Sequence, residues 1–252
     1  NFMSYNILNY IPLFSTLLLL TFCSQKQEES SAPPPVTPAT ALQSYLQNED
    51  ASFQWEVKDS FNVENIKMYD LLLTSQQWRE HTWTHQLTVI VPEENQYDGA
   101  LLFITGGSNE DEQPNWRGQD DETLQAFAQV AAKNKAIVSI IRQTPNQPLY
   151  DNLKEDALIS FTLHNFKSDG DYTWPLLFPM VKSAVRAMDA IQQFMGDLAD
   201  PVDVESFILT GASKRGWTTW LAGAFDPRRP LDPRLAQVIQ AGIDHTYAEF
   251  TG

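Results

Sequence analysis

The segment with the most evident chemical potential spans residues 211–220, Gly-Ala-Ser-Lys-Arg-Gly-Trp-Thr-Thr-Trp, and directly follows a short apolar run. A strand that enters Gly-x-Ser and continues into a helix is how hydrolases lift a serine hydroxyl above their sheet. The usual pattern is Gly-x-Ser-x-Gly, whereas Arg215 stands at the second glycine position and Gly216 follows it. Ser213 is therefore a candidate catalytic nucleophile. The alternative is a serine that caps the N-terminus of a helix at 214–223.

A candidate for the other half of such a site is the turn Gly106-Gly107-Ser108, which ends the apolar stretch 99–105. In serine hydrolases the loop after the third strand contributes a backbone N–H to the oxyanion hole, and glycine lets the main chain approach the substrate oxygen. We assign this oxyanion-binding role to Gly107. An ordinary Gly-Gly turn is the alternative.

The elements around these two motifs alternate between strands and helices. Residues 121–133 have helical spacing, 136–141 form an apolar strand, and 180–194 form an amphipathic helix. Such alternation builds a parallel sheet covered on both faces, with functional residues at the carboxyl ends of its strands. Three earlier segments predict antiparallel strands that open the sheet, namely 53–61, 66–73 and 83–91. The predicted fold class is therefore α/β, a three-layer sandwich with a mostly parallel sheet and antiparallel N-terminal strands.

Three smaller features receive structural interpretations. His81 and His85 lie on strand-rich sequence, where histidines usually serve the fold. Trp217 and Trp220 are three residues apart, and we expect them to pack their helix against the sheet. The proline-bounded loop 142–152 follows the strand 136–141 and so lies over the presumed site. That loop either lines a substrate pocket or is a rigid structural connection.

Composition excludes some classes of function. The formal net charge of −15 argues against a nucleic-acid partner, because phosphate binding needs a basic surface. The sequence contains no His, Cys, Asp and Glu set at metal-ligand spacing, no phosphate-binding glycine loop and no internal repeat. We therefore predict neither a metal site nor a cofactor. The single cysteine cannot form an internal disulfide.

The N-terminal part of the sequence predicts export. Residues 7–22 form an apolar stretch of signal-peptide length that ends at Cys23, so 1–23 is a targeting segment of the lipoprotein type. Acylation of Cys23 would anchor the protein to the membrane of a bacterial cell envelope; a cleaved signal peptide and secretion are the alternative. Residues 24–40 are polar and proline-rich, which predicts a disordered tether. The folded part then occupies 41–252.

Several longer segments resemble the PhoPQ-activated pathogenicity-related protein family. The similar segments run in the same order over about 42–252, and they are 145–149, 155–160, 174–189 and 207–221. The resemblance implies an exported α/β-hydrolase-like protein linked to virulence. The family also contains a eukaryotic secreted proliferation repressor, so the fold does not guarantee catalysis. A non-catalytic envelope or secreted binding factor is therefore the alternative function.

The Gly-x-Ser-Lys-x-Gly arrangement is also similar to the serine motif of glucuronoyl esterases, in which a basic residue beside the nucleophile helps to bind the oxyanion. The resemblance gives that role to Lys214. The physical basis is sound, because a cation and the N–H groups of a helix N-terminus both stabilise developing negative charge. A solvated helix face carrying Lys214 and Arg215 is the alternative.

The other members of a catalytic triad are not evident. In this fold the acid and the histidine follow the serine in the chain, and only 39 residues follow Ser213. They contain one histidine, His245, with Asp244 before it. Because the resembling family members are longer, we expect 41–252 to be the N-terminal part of its domain and the fragment to be inactive. The full-length parent is expected to be a serine hydrolase that cleaves an ester or peptide bond.

Overall fold

The structure of the chain is a computed structural model that describes residues 35–226. Cys23, the targeting segment and most of the tether lie outside these residues, as do Asp244, His245 and the last 26 positions. The elements in chain order are α1 (Ala41–Leu46), β1 (Gln54–Val63), β2 (Ile66–Trp78), β3 (His81–Pro92), β4 (Gly99–Ile104), β5 (Asn109–Glu110), β6 (Gln113–Pro114), α2 (Glu122–Asn134), β7 (Ile137–Ile141), α3 (Glu155–Asp169), α4 (Leu177–Asp197), β8 (Ser206–Gly211) and α5 (Lys214–Phe225).

Within the described residues, six strands form one sheet in the order β1-β2-β3-β7-β4-β8, and β5 and β6 form a separate small hairpin. The pairs β1–β2, β2–β3 and β3–β7 are antiparallel, whereas β7–β4 and β4–β8 are parallel. Four of the six strands, β2, β7, β4 and β8, therefore point the same way. This arrangement confirms the predicted antiparallel N-terminal strands and the parallel half that follows them. The fold class is that of an α/β-hydrolase-like three-layer sandwich.

Helices cover both faces of the sheet because alternate strand residues point to opposite sides. On one face, Leu71, Leu87 and Leu102 pack with apolar residues of α4 and with Ala222 of α5. On the other face, residues such as Ile90 and Ile140 pack against α2. The five residues of β7 are all buried, as expected for a central strand between two helical layers. The two apolar layers hold β4 and β8, and hence the two candidate motifs, in fixed register.

A buried ion pair fastens the segment before β1 to the longest described helix. Lys182 of α4 is 1% exposed, and its Nζ donates to Asn48 Oδ1 at 2.6 Å and to Asp50 Oδ2 at 2.9 Å. Burial lowers the pKa of Lys182, although the neighbouring Asp50 carboxylate opposes that shift. Because an unpaired buried charge is very unfavourable, this contact fixes where the chain enters the sheet.

Two features of the helices differ from the sequence-based expectations. Trp217 and Trp220 do not pack against the sheet, since they are 58% and 57% exposed. The residues of α5 that are buried are Thr218 and Ala222, and Leu221 and Phe225 also pack against the core, while the two tryptophans lie on the exposed side of the helix. Helix α3 was not predicted, and it buries only Leu158 and Thr162, which leaves a weak amphipathic pattern.

Between residues 35 and 226, no helix combines the length and apolar character needed to cross a membrane.

Candidate active site

Ser213 lies at the sharp turn between β8 and α5. Its backbone has φ 56° and ψ −125°, a conformation that residues with a side chain rarely adopt. The residue is exposed, and its side chain caps no N–H of α5. The structure therefore does not support the alternative of a helix-capping serine. It presents instead a hydroxyl held outward by a strained turn, without a hydrogen-bond partner among the described residues.

Two glycines make this turn possible. A Cβ at Gly211 would lie 2.9 Å from the Cβ and from the backbone oxygen of Arg215, so any larger residue would push the helix away from the strand. A Cβ at Gly216 would lie 3.2 Å from the backbone oxygen of Gly211. The small residue that the motif requires on the helix side is thus Gly216. Compared with the pattern Gly-x-Ser-x-Gly, the second glycine stands one position later, and the close contact between β8 and α5 is kept.

The turn Gly106-Gly107 lies beside this serine turn, because β4 and β8 pair in parallel with Ile104 opposite Gly211. The N–H of Gln143 donates to the Gly106 oxygen at 3.3 Å. Since the peptide bond is planar and trans, the N–H of Gly107 points to the opposite side. Within residues 35–226, neither this N–H nor the N–H of Lys214 has an acceptor. Two free main-chain donors therefore flank the ends of adjacent strands.

The side chain of Lys214 does not point into open space. Its Nζ contacts Glu155 Oε2 at 2.7 Å and Asp156 Oδ1 at 2.9 Å. Burial alone would lower the pKa of Lys214, but the two carboxylates outweigh it and raise the pKa. The ammonium is therefore charged and already paired with two carboxylates, whereas the backbone N–H of Lys214 has no acceptor within residues 35–226.

Glu155, at the first position of α3, is a central acceptor whose role no sequence motif indicated. Arg215 binds it with both terminal nitrogens, at 2.8 Å to Oε2 and 2.6 Å to Oε1, and Gln147 Nε2 adds a bond of 2.7 Å to Oε1. Burial would raise the pKa of the Glu155 carboxyl, but the bonds from Arg215, Lys214 and Gln147 prevail and lower it to about 2. The carboxylate is therefore ionised throughout the physiological pH range.

A signal for such a partner was present in the sequence. Lys214 and Arg215 occupy the first turn of α5, where the helix dipole disfavours positive charge. Two adjacent cations at that place favour carboxylates nearby. Which acidic residue supplies them could not be read from the sequence, because Glu155 is about 60 positions away and belongs to an unpredicted helix.

The loop 142–152 has features of both alternatives, since it is partly buried and its residues also line clefts. Its first six residues are buried, and the Thr144 oxygen accepts a hydrogen bond of 2.6 Å from Arg215 Nε. A cleft of about 710 Å³ opens on the other side of the glycine turn, between Gly107, Trp116, Arg117 and the buried Arg142. The Gln86 side chain holds this rim in place, since it bonds both the N–H and the oxygen of Arg117.

No described histidine hydrogen-bonds to Ser213. His85 is fully buried, where Nδ1 donates to the Arg142 oxygen at 2.9 Å and Nε2 meets Ser75 Oγ at 2.9 Å. The structural interpretation of this residue therefore agrees with its surroundings. His81 stacks on Trp78 at the tip of the β2–β3 hairpin. In the part of the chain that the structure covers, no group of three or more His, Cys, Asp or Glu side chains could hold a metal ion.

A mixed sheet with helices on both faces and a strained serine between strand and helix defines the class of the protein as the α/β-hydrolase fold. The model of the PhoPQ-activated pathogenicity-related protein family matches residues 42–231, and the chain belongs to that family.

Individual similar proteins include a curated relative and solved esterases. Autocrine proliferation repressor protein A from Dictyostelium discoideum is 33% identical over 204 residues, which cover 75% of this chain and 39% of that protein. The chain thus spans about two fifths of this relative's length. An acetyl xylan esterase from Paenibacillus sp. R4 is 17% identical with a TM-score of 0.47, covering 75% of this chain and 54% of its own. A glucuronoyl esterase from Solibacter usitatus is 14% identical with a TM-score of 0.47, covering 75% and 55%.

Proposed function

We propose that this chain carries the nucleophile and the oxyanion donors of a serine hydrolase that cleaves an ester or peptide bond. The observation that carries the proposal is the backbone of Ser213, whose φ of 56° and ψ of −125° hold an exposed hydroxyl at the end of β8, with no hydrogen-bond partner among residues 35–226. A strained conformation persists only where the surrounding structure enforces it, and such positions cluster at functional sites.

The proposed chemistry is acyl transfer. Ser213 Oγ attacks the substrate carbonyl carbon and its proton passes to a general base, while the carbonyl oxygen becomes an oxyanion. The N–H groups of Gly107 and Lys214 donate to that oxygen. The protonated base then transfers its proton to the leaving group, which departs. Water finally hydrolyses the bond between the acyl group and Ser213. The base is proposed to be a histidine after Ser213, either His245 or one in the remainder of a longer protein.

Labelling with a fluorophosphonate tests the proposal, because this reagent phosphonylates only an activated serine. We expect a longer protein that includes residues after Gly252 to be labelled on the peptide that contains Ser213, and Ser213→Ala to lose the label. Comparing the labelling of the longer protein with that of the 252-residue chain shows whether residues beyond Gly252 supply the base. A longer protein that folds, contains a histidine after Ser213 and takes no label would refute the proposal.

A second candidate, a secreted or envelope-bound factor that acts by binding, is favoured by the curated relative, whose name describes a proliferation repressor. The binding surface of this chain would then include Trp217 and Trp220, which are both more than half exposed. A biological effect of the protein that survives Ser213→Ala but not Trp217→Ser would support it. The reverse result would support the hydrolase.

The proposed location of the protein is the cell envelope, with Cys23 acylated, or the medium after signal cleavage. The apolar stretch 7–22 followed by the chain's single cysteine supports it. Intact mass of the protein extracted with detergent distinguishes these states, since acylation adds the mass of fatty chains to a new N-terminal Cys23. Recovery of the complete, unmodified N-terminus in the cytoplasm would exclude both.

A further inference from the structure

We propose that Glu155 is the positioning residue of the Ser213 site and that it holds the serine turn and the Gly107 turn in register. The inference rests on the proposed function, because it assigns Glu155 a role in aligning the two oxyanion donors. Glu155 does not touch the substrate in this proposal. It acts through Arg215 on one side and through Gln147 on the other.

The first link joins Glu155 to the start of α5. Arg215 forms a bidentate pair with the carboxylate at 2.6 and 2.8 Å, and Lys214 adds a bond of 2.7 Å. A bidentate pair restrains direction as well as distance, because the guanidinium and the carboxylate must be nearly coplanar. These two residues directly follow Ser213, so the contact fixes the first helical turn whose Lys214 N–H is the proposed donor.

The second link joins Glu155 to the glycine turn. Gln147 Nε2 donates both to Glu155 Oε1 at 2.7 Å and to the Gly107 oxygen at 3.1 Å. Gln147 Oε1 in turn accepts the backbone N–H of Glu155 at 2.8 Å, which fixes the orientation of the amide. Since Gln143 N–H binds the Gly106 oxygen, the peptide groups before and after Gly107 are both restrained.

The backbone of Glu155 itself supports a specific role. Its φ is 49°, in the left-handed region that favours glycine or asparagine over glutamate. Gln143, whose N–H restrains the Gly106 oxygen, also has a positive φ of 56°. Strain of this kind is tolerated where the side chain must reach a fixed place. Here that place lies between two cations and the amide that binds Gly107.

A consequence for chemistry follows from this arrangement. An oxyanion hole stabilises the transition state only if both N–H groups reach the same oxygen, and a displacement of about 1 Å can lower a rate roughly 100-fold. Glu155 connects the element that carries one donor with the element that carries the other. Loss of the carboxylate would release both sides at once, whereas loss of the Gln147 amide would release only the glycine turn.

The test uses two variants, Glu155→Gln and Gln147→Met, in the same longer protein, with Asp171→Asn as the matched control. Asp171 pairs with Arg79 at 2.9 Å and contacts no residue of the site. We expect the fluorophosphonate labelling rate to fall roughly 100-fold in Glu155→Gln and roughly 10-fold in Gln147→Met. Asp171→Asn is expected to change it by less than about twofold. Gln147→Met keeps the Glu155–Arg215 pair and therefore reports on the link if Glu155→Gln does not fold.

A second measurement separates positioning from loss of folded protein. The acylation rate of an oxoester is compared with that of the matching thionoester, whose sulfur is a poorer hydrogen-bond acceptor. We expect the preference for oxygen to fall roughly 10-fold in Glu155→Gln, because misaligned N–H groups no longer favour oxygen. A smaller folded fraction would slow both reactions equally and leave the ratio unchanged. An unchanged ratio overturns the positioning role alone, and a wild type that takes no label overturns the proposed function and with it this role.

Discussion

The described chain contains two serines whose surroundings invite comparison. Ser75 Oγ lies 2.9 Å from His85 Nε2, a distance typical of a catalytic pair, yet both residues are fully buried. Ser213 has no such partner among the described residues, but it is exposed and held at a strained turn. The buried serine also contacts Ser183 Oγ at 3.1 Å, so its hydrogen-bonding capacity is used within the fold.

A short serine–histidine distance is therefore not sufficient evidence for a nucleophile. His85 donates from Nδ1 to a carbonyl oxygen, and because burial disfavours the charged ring, Nε2 is the acceptor that faces Ser75 Oγ. Burial lowers its pKa to about 4, and the hydrogen bonds to backbone oppose this only in part. The Ser75–His85 pair therefore satisfies buried polar groups, whereas Ser213 depends on backbone geometry for its availability.

The largest effect is expected from a change in the backbone that presents Ser213. In Gly211→Ala the new methyl group would meet Arg215 at 2.9 Å, which displaces α5. We expect roughly a 100-fold loss of labelling and a free energy of unfolding lower by about 2–3 kcal/mol. Gly223→Ala is the matched control in the same helix, since its methyl group would meet nothing within 4 Å. It should stabilise the protein by up to about 1 kcal/mol. Equal effects of the two substitutions would contradict the assigned geometry.

The buried pair should determine how stability responds to acid. The folded-state pKa of His85 is about 4 and its ordinary value is 6.5, so the unfolded chain binds the proton more readily. The stabilisation is complete above pH 6.5 and is lost as the pH falls towards 4, by up to about 3 kcal/mol. Urea unfolding at pH 7 and pH 4.5 measures this loss. His85→Gln should flatten the dependence in this interval, and an unaltered slope would show that other groups cause it.

A smaller effect is expected from Ser75→Ala, which leaves His85 Nε2 without its partner. An unsatisfied buried acceptor lowers the free energy of unfolding by about 1–2 kcal/mol. Labelling of Ser213 per folded molecule should stay within about twofold of the wild type. A labelling rate that falls as steeply as in Gly211→Ala would mean that the two serines are coupled and that the comparison fails.

The features that sequence could predict are those set by local pattern. The serine turn, the glycine turn and the strands β4, β7 and β8 each depend on a few consecutive residues, and the strand order then places the two turns side by side. The Glu155 network could not be predicted, because its members come from the loop after β7, the start of α3 and the start of α5. Only the unfavourable charge of Lys214 and Arg215 at a helix N-terminus indicated that an acid was needed.

The two tryptophans show a local pattern that predicted the wrong structure. Their spacing of three residues suggested a buried helical face, but the buried residues of α5 are Thr218 and Ala222, and Leu221 and Phe225 also pack against the core. The two largest apolar side chains of the helix therefore indicated the wrong side. The glycine at 216 marks the close contact between helix and strand, because a Cβ there would lie 3.2 Å from the Gly211 oxygen.

The dihedral angles of Ser213 have a consequence for how such chains diverge. Glycine occupies positive φ without penalty, so Ser213→Gly would relax the turn and favour folding. Serine is therefore the less favourable residue for the backbone at this bend, and the proposed role as nucleophile is what would offset that cost.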